Sequence, residues 1–210
     1  MVEPKQTIER LTMYSDAILA VVATLLVLGI AVPEDHHFSE EGLVAFLAKI
    51  KHDIGAYALS FLIIYSFWIQ HHVICLFLDR ANRCFTWLNC VFLFFLTLIP
   101  FATKLLAVYR QDFYVVLIYG VLQVACGVSL AMMWWYVHVQ RRMLSAPVEQ
   151  AVRRSMTIRI LSGPILNLAA VGISFFSVPV ALALFVGAPL LNLSHRRVDS
   201  SLREMAADAA

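Results

Sequence analysis

The chain has 210 residues, of which 61% are hydrophobic and only 14% charged, with a formal net charge of +2. Soluble domains are typically about 45–50% apolar and about 25% charged, so this balance excludes an ordinary water-soluble globule and points to an integral membrane protein. Cys75, Cys84, Cys90 and Cys126 are scattered through apolar stretches with no CxxC spacing, which reads as buried free thiols, with neither a disulfide framework nor a zinc site.

The first apolar segment covers about residues 11–32. It opens on a polar cluster of Glu9, Arg10, Thr12, Ser15 and Asp16, then runs apolar from Ala17 to Val32, interrupted by Thr24 and Gly29 and closed by Pro33. At about 1.5 Å per residue such a helix covers a hydrocarbon core of about 30 Å. It is too long for the apolar part of a cleavable signal peptide, about 7–15 residues. An ionisable group this far inside a span is costly, faces protein or water, and is a functional-site hypothesis by default.

Further apolar segments follow at about 46–77, 84–107, 113–139, 158–176 and 178–193. The lipid-embedded part of the second is expected to start near Ile54, and Pro100 stands near the far end of the third. Pro164, Pro179 and Pro189 predict a kinked or tightly turned final pair, because proline removes a backbone donor and crowds the preceding turn. The fold class expected is all-α, a polytopic membrane protein with six transmembrane helices forming one unit over residues 1–210. No inverted internal repeat of the secondary-transporter kind is visible. The 140–157 loop is expected to lie as an amphipathic stretch on the inner membrane surface, its arginines on anionic lipid, and the tail from Arg196 to be loosely ordered.

Charge sets the expected orientation. With six spans, the N-terminus, the 78–83 and 140–157 loops and the C-terminus share one side, which holds twelve Lys and Arg residues against four on the other (Lys49, Lys51, Lys104 and Arg110). The positive-inside rule then places both termini in the cytoplasm of a multi-pass protein of the cell membrane, with Tyr109, Tyr114, Trp134, Trp135 and Tyr136 as interfacial anchors.

Alternating directions bring polar residues of three spans to a similar depth. Arg10, Ser15 and Asp16 lie near the inner end of the first span, Trp68, His71 and His72 near the inner end of the second, and Trp87 and Asn89 near the start of the third. An aspartate at that depth needs donors, and Arg, His and Asn are those on hand. Such a cluster reads as a structural network that packs three spans, or as a proton relay through imidazoles that titrate near neutrality. A metal site is disfavoured, because adjacent His71 and His72 point about 100° apart on a helix and share no face. No HExxH, GxSxG, P-loop or Ser/Lys arrangement is present, so no catalytic residues and no enzyme are expected.

Beyond the cluster, the first span carries two aliphatic stripes at helical spacing. One is Ile18, Val21, Leu25 and Leu28 with Thr24 beside it; the other is Leu19, Val22, Leu26 and Gly29. A helix apolar all round does not reveal which face meets lipid, protein or a pore. Either stripe reads as packing surface or as a hydrophobic constriction that gates by dewetting; the carbonyl-filter sequence TVGYG is absent.

Arg10, Tyr14-Ser15-Asp16-Ala17 and Thr24-Leu25-Leu26-Val27-Leu28 together resemble the signature of the transmembrane protein 175 family of endolysosomal potassium channels, in its bacterial single-repeat form. The resemblance continues through Trp68-Ile69-Gln70-His71-His72, Trp87-Leu88-Asn89 and Pro100-Phe101. Tyr14 stands where the family has phenylalanine, Gln70 where relatives often have asparagine, and Val21 is smaller than the Ile or Leu relatives tend to carry. The resemblance implies a homotetramer with the first span lining a central pore, and potassium-preferring conduction of leak type. Its aliphatic rings would be Val21, Leu25 and Leu28 with Thr24 close by, spread over about 10 Å of helix axis. Arg10, Tyr14, Ser15, Asp16, Trp68, His71, His72 and Asn89 would form the polar network. The expected partners are copies of the same chain, the bilayer and monovalent cations; no nucleic acid, and no cofactor beyond permeant K+, is implied. The competing reading from the residues is a proton-coupled secondary transporter working through Asp16 and the histidines.

Overall fold

The computed structural model describes residues 4–30, 40–109, 111–140, 143–144 and 150–193. Among these residues seven α-helices follow in order: α1 Pro4–Leu25, α2 Glu40–Leu76, α3 Arg83–Thr97, α4 Ile99–Val108, α5 Phe113–Val139, α6 Gln150–Ser174 and α7 Val178–Leu193. A short 3-10 turn, Val27–Gly29, follows α1, and an isolated antiparallel bridge joins Leu78 to Leu144.

Local chemistry places several helix ends. Asn82 caps α3 by accepting from Phe85 N at 2.9 Å, and Asp112 caps α5 by accepting from Tyr114 N at 2.8 Å. The Asn82 amide also donates to the Tyr136 hydroxyl at 2.8 Å, tying the start of α3 to the end of α5. The third apolar segment is not one helix. Pro100 has no N–H for the Leu96 carbonyl, so α3 stops at Thr97 and α4 begins at Ile99, with Pro100 in its first turn.

Among the described residues, five stretches are long and apolar enough to cross a bilayer: Ile8–Gly29, Ile50–Leu76, Arg83–Val108, Phe113–Val139 and Val152–Ser174. The sixth expected span falls on α7, whose 16 residues reach about 24 Å against a core of about 30 Å. Two expectations change. α6 starts at Gln150, so Arg153, Arg154 and Thr157 belong to its first turns and not to a loop. Cys84 and Cys90 are exposed on α3, while Cys75 and Cys126 are buried, because the outward face of α3 is itself apolar and cysteine is tolerated there. The acidic stretch 31–39, most of the 140–149 segment and the tail from residue 194 lie outside the described residues.

α5 forms the middle of the bundle, packed against α2, α3, α4, α6 and α7. Lipid tails are as apolar as leucine, so packing here rests on close backbone approach and interhelical hydrogen bonds rather than on escape from water. Two glycines one heptad apart, Gly120 and Gly127, let α6 come close. A Cβ on Gly127 would lie 2.9 Å from Pro164, and one on Gly120 would run into Val171 and Phe185. α1 packs on α2 and α3 through Ile8, Leu11, Ser15, Leu19, Val22 and Leu26, one face of a helix by their spacing of three and four.

Candidate functional site

The N-terminal half of α1 is joined to its neighbours by a hydrogen-bonded chain. The Ser15 hydroxyl donates to the Leu11 carbonyl at 2.9 Å, which leaves its oxygen free to accept from Asn89 Nδ2 at 2.8 Å. Asn89 Oδ1 in turn lies 2.9 Å from His71 Nε2. Since Asn89 Oδ1 only accepts, Nε2 is the protonated ring nitrogen, and the polarity of the chain runs from α2 through α3 to α1. Ser15, His71 and Asn89 are all buried. His71 stacks flat on Phe92 at 5.5 Å, and Cys75, one turn along α2, reaches its ring at 3.9 Å.

Asp16, next to Ser15, points to the other side and accepts from Trp68 Nε1 at 2.9 Å. The indole is held between Tyr65 at 5.4 Å and His72 at 5.3 Å. Five of the expected network residues therefore meet by hydrogen bonds (Ser15, Asp16, Trp68, His71, Asn89), and His72 joins by stacking. Arg10 and Tyr14 do not. Both are exposed and line a groove of about 670 Å³ between α1 and α3. Among the described residues the one ion pair is Arg80–Asp79, so Asp16 is satisfied by an indole rather than by Arg10. Among the same residues, no three His, Cys, Asp or Glu side chains come together as a metal site.

The two aliphatic stripes of α1 part company. Leu19, Val22 and Leu26 are at most 3% exposed, whereas Val21, Leu25 and Leu28 are 55%, 45% and 73% exposed. Thr24 shares the open face, its hydroxyl donating to the Val21 carbonyl at 2.8 Å with the lone pairs left free. Leu28 is not on the α-helix, which ends at Leu25, but on the following 3-10 turn. The tighter turn changes the expected even spacing: over Val27–Gly29 the rise is about 2.0 Å per residue instead of about 1.5 Å.

A second polar group, not singled out from the sequence, sits at the opposite end of the bundle. Thr103 of α4 donates to Ser60 of α2 at 2.8 Å, and Ser60 lies 2.8 Å from the Tyr119 hydroxyl of α5. The signal for it was present: a serine, a threonine and a tyrosine at matching depth in three consecutive spans.

The sequence profile described as the endosomal/lysosomal potassium channel TMEM175 matches residues 10–100. A protein of Streptomyces collinus described as a potassium channel is 29% identical over 178 residues, covering 83% of this chain and 85% of that one. A protein of Chamaesiphon minutus, also described as a potassium channel, is 31% identical over 183 residues, or 85% of this chain and 90% of the relative. The crystal structure of a lysosomal potassium-selective channel TMEM175 homolog from Chamaesiphon minutus superposes with a TM-score of 0.77 at 27% identity, covering 89% of this chain and 96% of that one. By sequence over nearly its whole length, and by fold, the chain belongs to the TMEM175 family.

Proposed function

We propose that this chain is the subunit of a potassium-selective, leak-type channel of the cell membrane, a homotetramer whose α1 helices stand around a common axis. The observation that carries this reading is the division of α1. One face is sealed against α2 and α3, while Val21, Thr24, Leu25 and Leu28 are left uncovered by their own subunit. Related proteins described as potassium channels share the sequence and the fold. Around an axis, the uncovered aliphatics form a dry constriction in which width sets the barrier to an ion, with the Thr24 oxygens as the nearest polar ligands. In this reading α7 makes a sixth crossing, both termini are cytoplasmic by the excess of arginine on that side, and nothing but permeant K+ and lipid is needed.

The polar chain is assigned a structural role. It fixes the rotation of α1 so that the Leu19, Val22 and Leu26 face stays inward and the opposite face stays open. The test is reconstitution in liposomes under a K+ gradient. Leu25→Ala or Leu28→Ala enlarges the flux or makes it less selective; flux indifferent to a wide set of substitutions on this face removes the pore from α1.

A further inference from the structure

Apart from the α1 face and the network beside it, the subunit interior holds polar side chains that its own bonding does not use. Gln123 of α5 is 1% exposed and Asn167 of α6 is 2% exposed. Among the described residues neither the Nε2 nor the Oε1 of Gln123, nor the Oδ1 of Asn167, has a hydrogen-bond partner. Burying a carboxamide with no partner is unfavourable in protein and more so at membrane depth, where bulk water offers no relief.

The packing of α5 on α6 places the two residues at one level. Gly127 faces Pro164 and Gly120 faces Val171, so residues of these antiparallel helices whose numbers sum to about 291 share a level. Gln123 and Asn167 satisfy this to within a residue. Each also lies three residues beyond one facing position and four before the other (Gln123 from Gly120 and Gly127, Asn167 from Pro164 and Val171). On helices of opposite direction that common offset turns both side chains to the same side of the α5–α6 contact. Tyr119, just before Gly120, reaches Ser60 of α2 and packs on Phe185 of α7, so that side is the junction with α2 and α7. One turn outward stands the Ser60–Thr103–Tyr119 hydroxyl group.

We propose that each subunit encloses a water-binding crevice between α2, α5, α6 and α7, where the carboxamides of Gln123 and Asn167 hold bound water apart from the α1 face. Buried water takes two to four hydrogen bonds from groups that otherwise have none, and two converging carboxamides supply both donors and acceptors.

The experiment compares wild type, Gln123→Leu, Asn167→Leu and the double variant in detergent, by thermal unfolding and by X-ray hydroxyl-radical footprinting. Phe185 is fully buried, whereas Phe176 is 91% exposed and serves as the internal reference. Radicals arise from water on the spot, so Phe185 is modified only where water is held beside it. The expected result is modification of Phe185 in wild type, lost in the double variant while Phe176 reacts unchanged. Each single variant lowers the melting temperature, and the double lowers it by less than the sum, since apolar replacement of both groups removes the need for water. Potassium flux through the double variant stays at the wild-type level. A Phe185 as unreactive in wild type as in the double variant, or single variants that raise the melting temperature, overturns the proposal. Where a single variant does not fold, the wild-type and double-variant footprints decide. The footprint is read without any flux, so it stands or falls separately from the channel reading.

Discussion

Asn89 donates to the Ser15 hydroxyl at 2.8 Å across 74 residues of sequence, and this contact, with the His71 bond on its other side, clamps the N-terminal half of α1. Replacing Asn89 by alanine strands His71 Nε2 and releases Ser15. Interhelical hydrogen bonds in bilayers average about 0.6 kcal/mol, while stranding a buried donor costs about 1–3 kcal/mol, and the second effect dominates here because His71 is sealed from water. Asn89→Ala is expected to lower stability by about 1–2 kcal/mol, read as a drop in the melting temperature of the purified protein.

Asp16 and Arg10 separate on substitution. Asp16→Ala leaves Trp68 Nε1 without its acceptor and lowers folded yield, whereas Asp16→Asn retains an acceptor oxygen and is milder. Arg10→Ala touches no ion pair among the described residues and is expected to leave the fold intact, so that in the tetramer proposed above any loss appears in assembly. Fluorescence-detected size-exclusion chromatography distinguishes monomer stability from assembly. Unfolding of the Arg10→Ala monomer on a par with Asp16→Ala would contradict this.

The two faces of α1 respond oppositely. Leu25→Ala changes flux with little effect on subunit stability, because Leu25 is 45% exposed within the subunit. Leu26→Ala leaves a cavity at a position 3% exposed, which typically costs about 2–5 kcal/mol in soluble cores. Paired liposome flux and melting measurements on the two neighbours check this.

Gly120→Leu and Gly127→Leu push α5 and α6 apart. Overpacking costs about 1–3 kcal/mol where neighbours yield, and here Pro164 and the Phe185 ring are held on other helices, so loss of folded protein is expected. Gly172→Leu, with nothing within 4 Å of its Cβ position, should be neutral. Expression and monodispersity of the three variants settle the comparison.

Tyr119→Phe removes one hydroxyl but leaves Thr103 to bond Ser60. The loss should be about 0.5–1.5 kcal/mol, visible as a small melting shift. Ser60→Ala, which strands the buried Tyr119 hydroxyl while Thr103 keeps the Ile99 carbonyl at 2.8 Å, should shift it further.

The sequence by itself determined the membrane class, the helical composition and the family, because apolar run length and the spacing of Arg10, Ser15, Asp16, Trp68, His71 and Asn89 are properties of the linear chain. It also put the polar residues of three spans at one depth, since alternating crossings order depth without knowledge of contacts. Contact and rotation were beyond it. Asp16 took the Trp68 indole and left Arg10 outside, and α1 buried Leu19, Val22 and Leu26 rather than Val21, Leu25 and Leu28. Two apolar stripes on one helix are equivalent until neighbours break the symmetry. Only the tertiary structure, by locking Ser15 onto Asn89, decided which way the helix turns. The same holds for the placing of Gln123 and Asn167 at one level, which depends on how helices distant in sequence pack, whereas the break at Pro100 is local, set by the N–H that proline lacks.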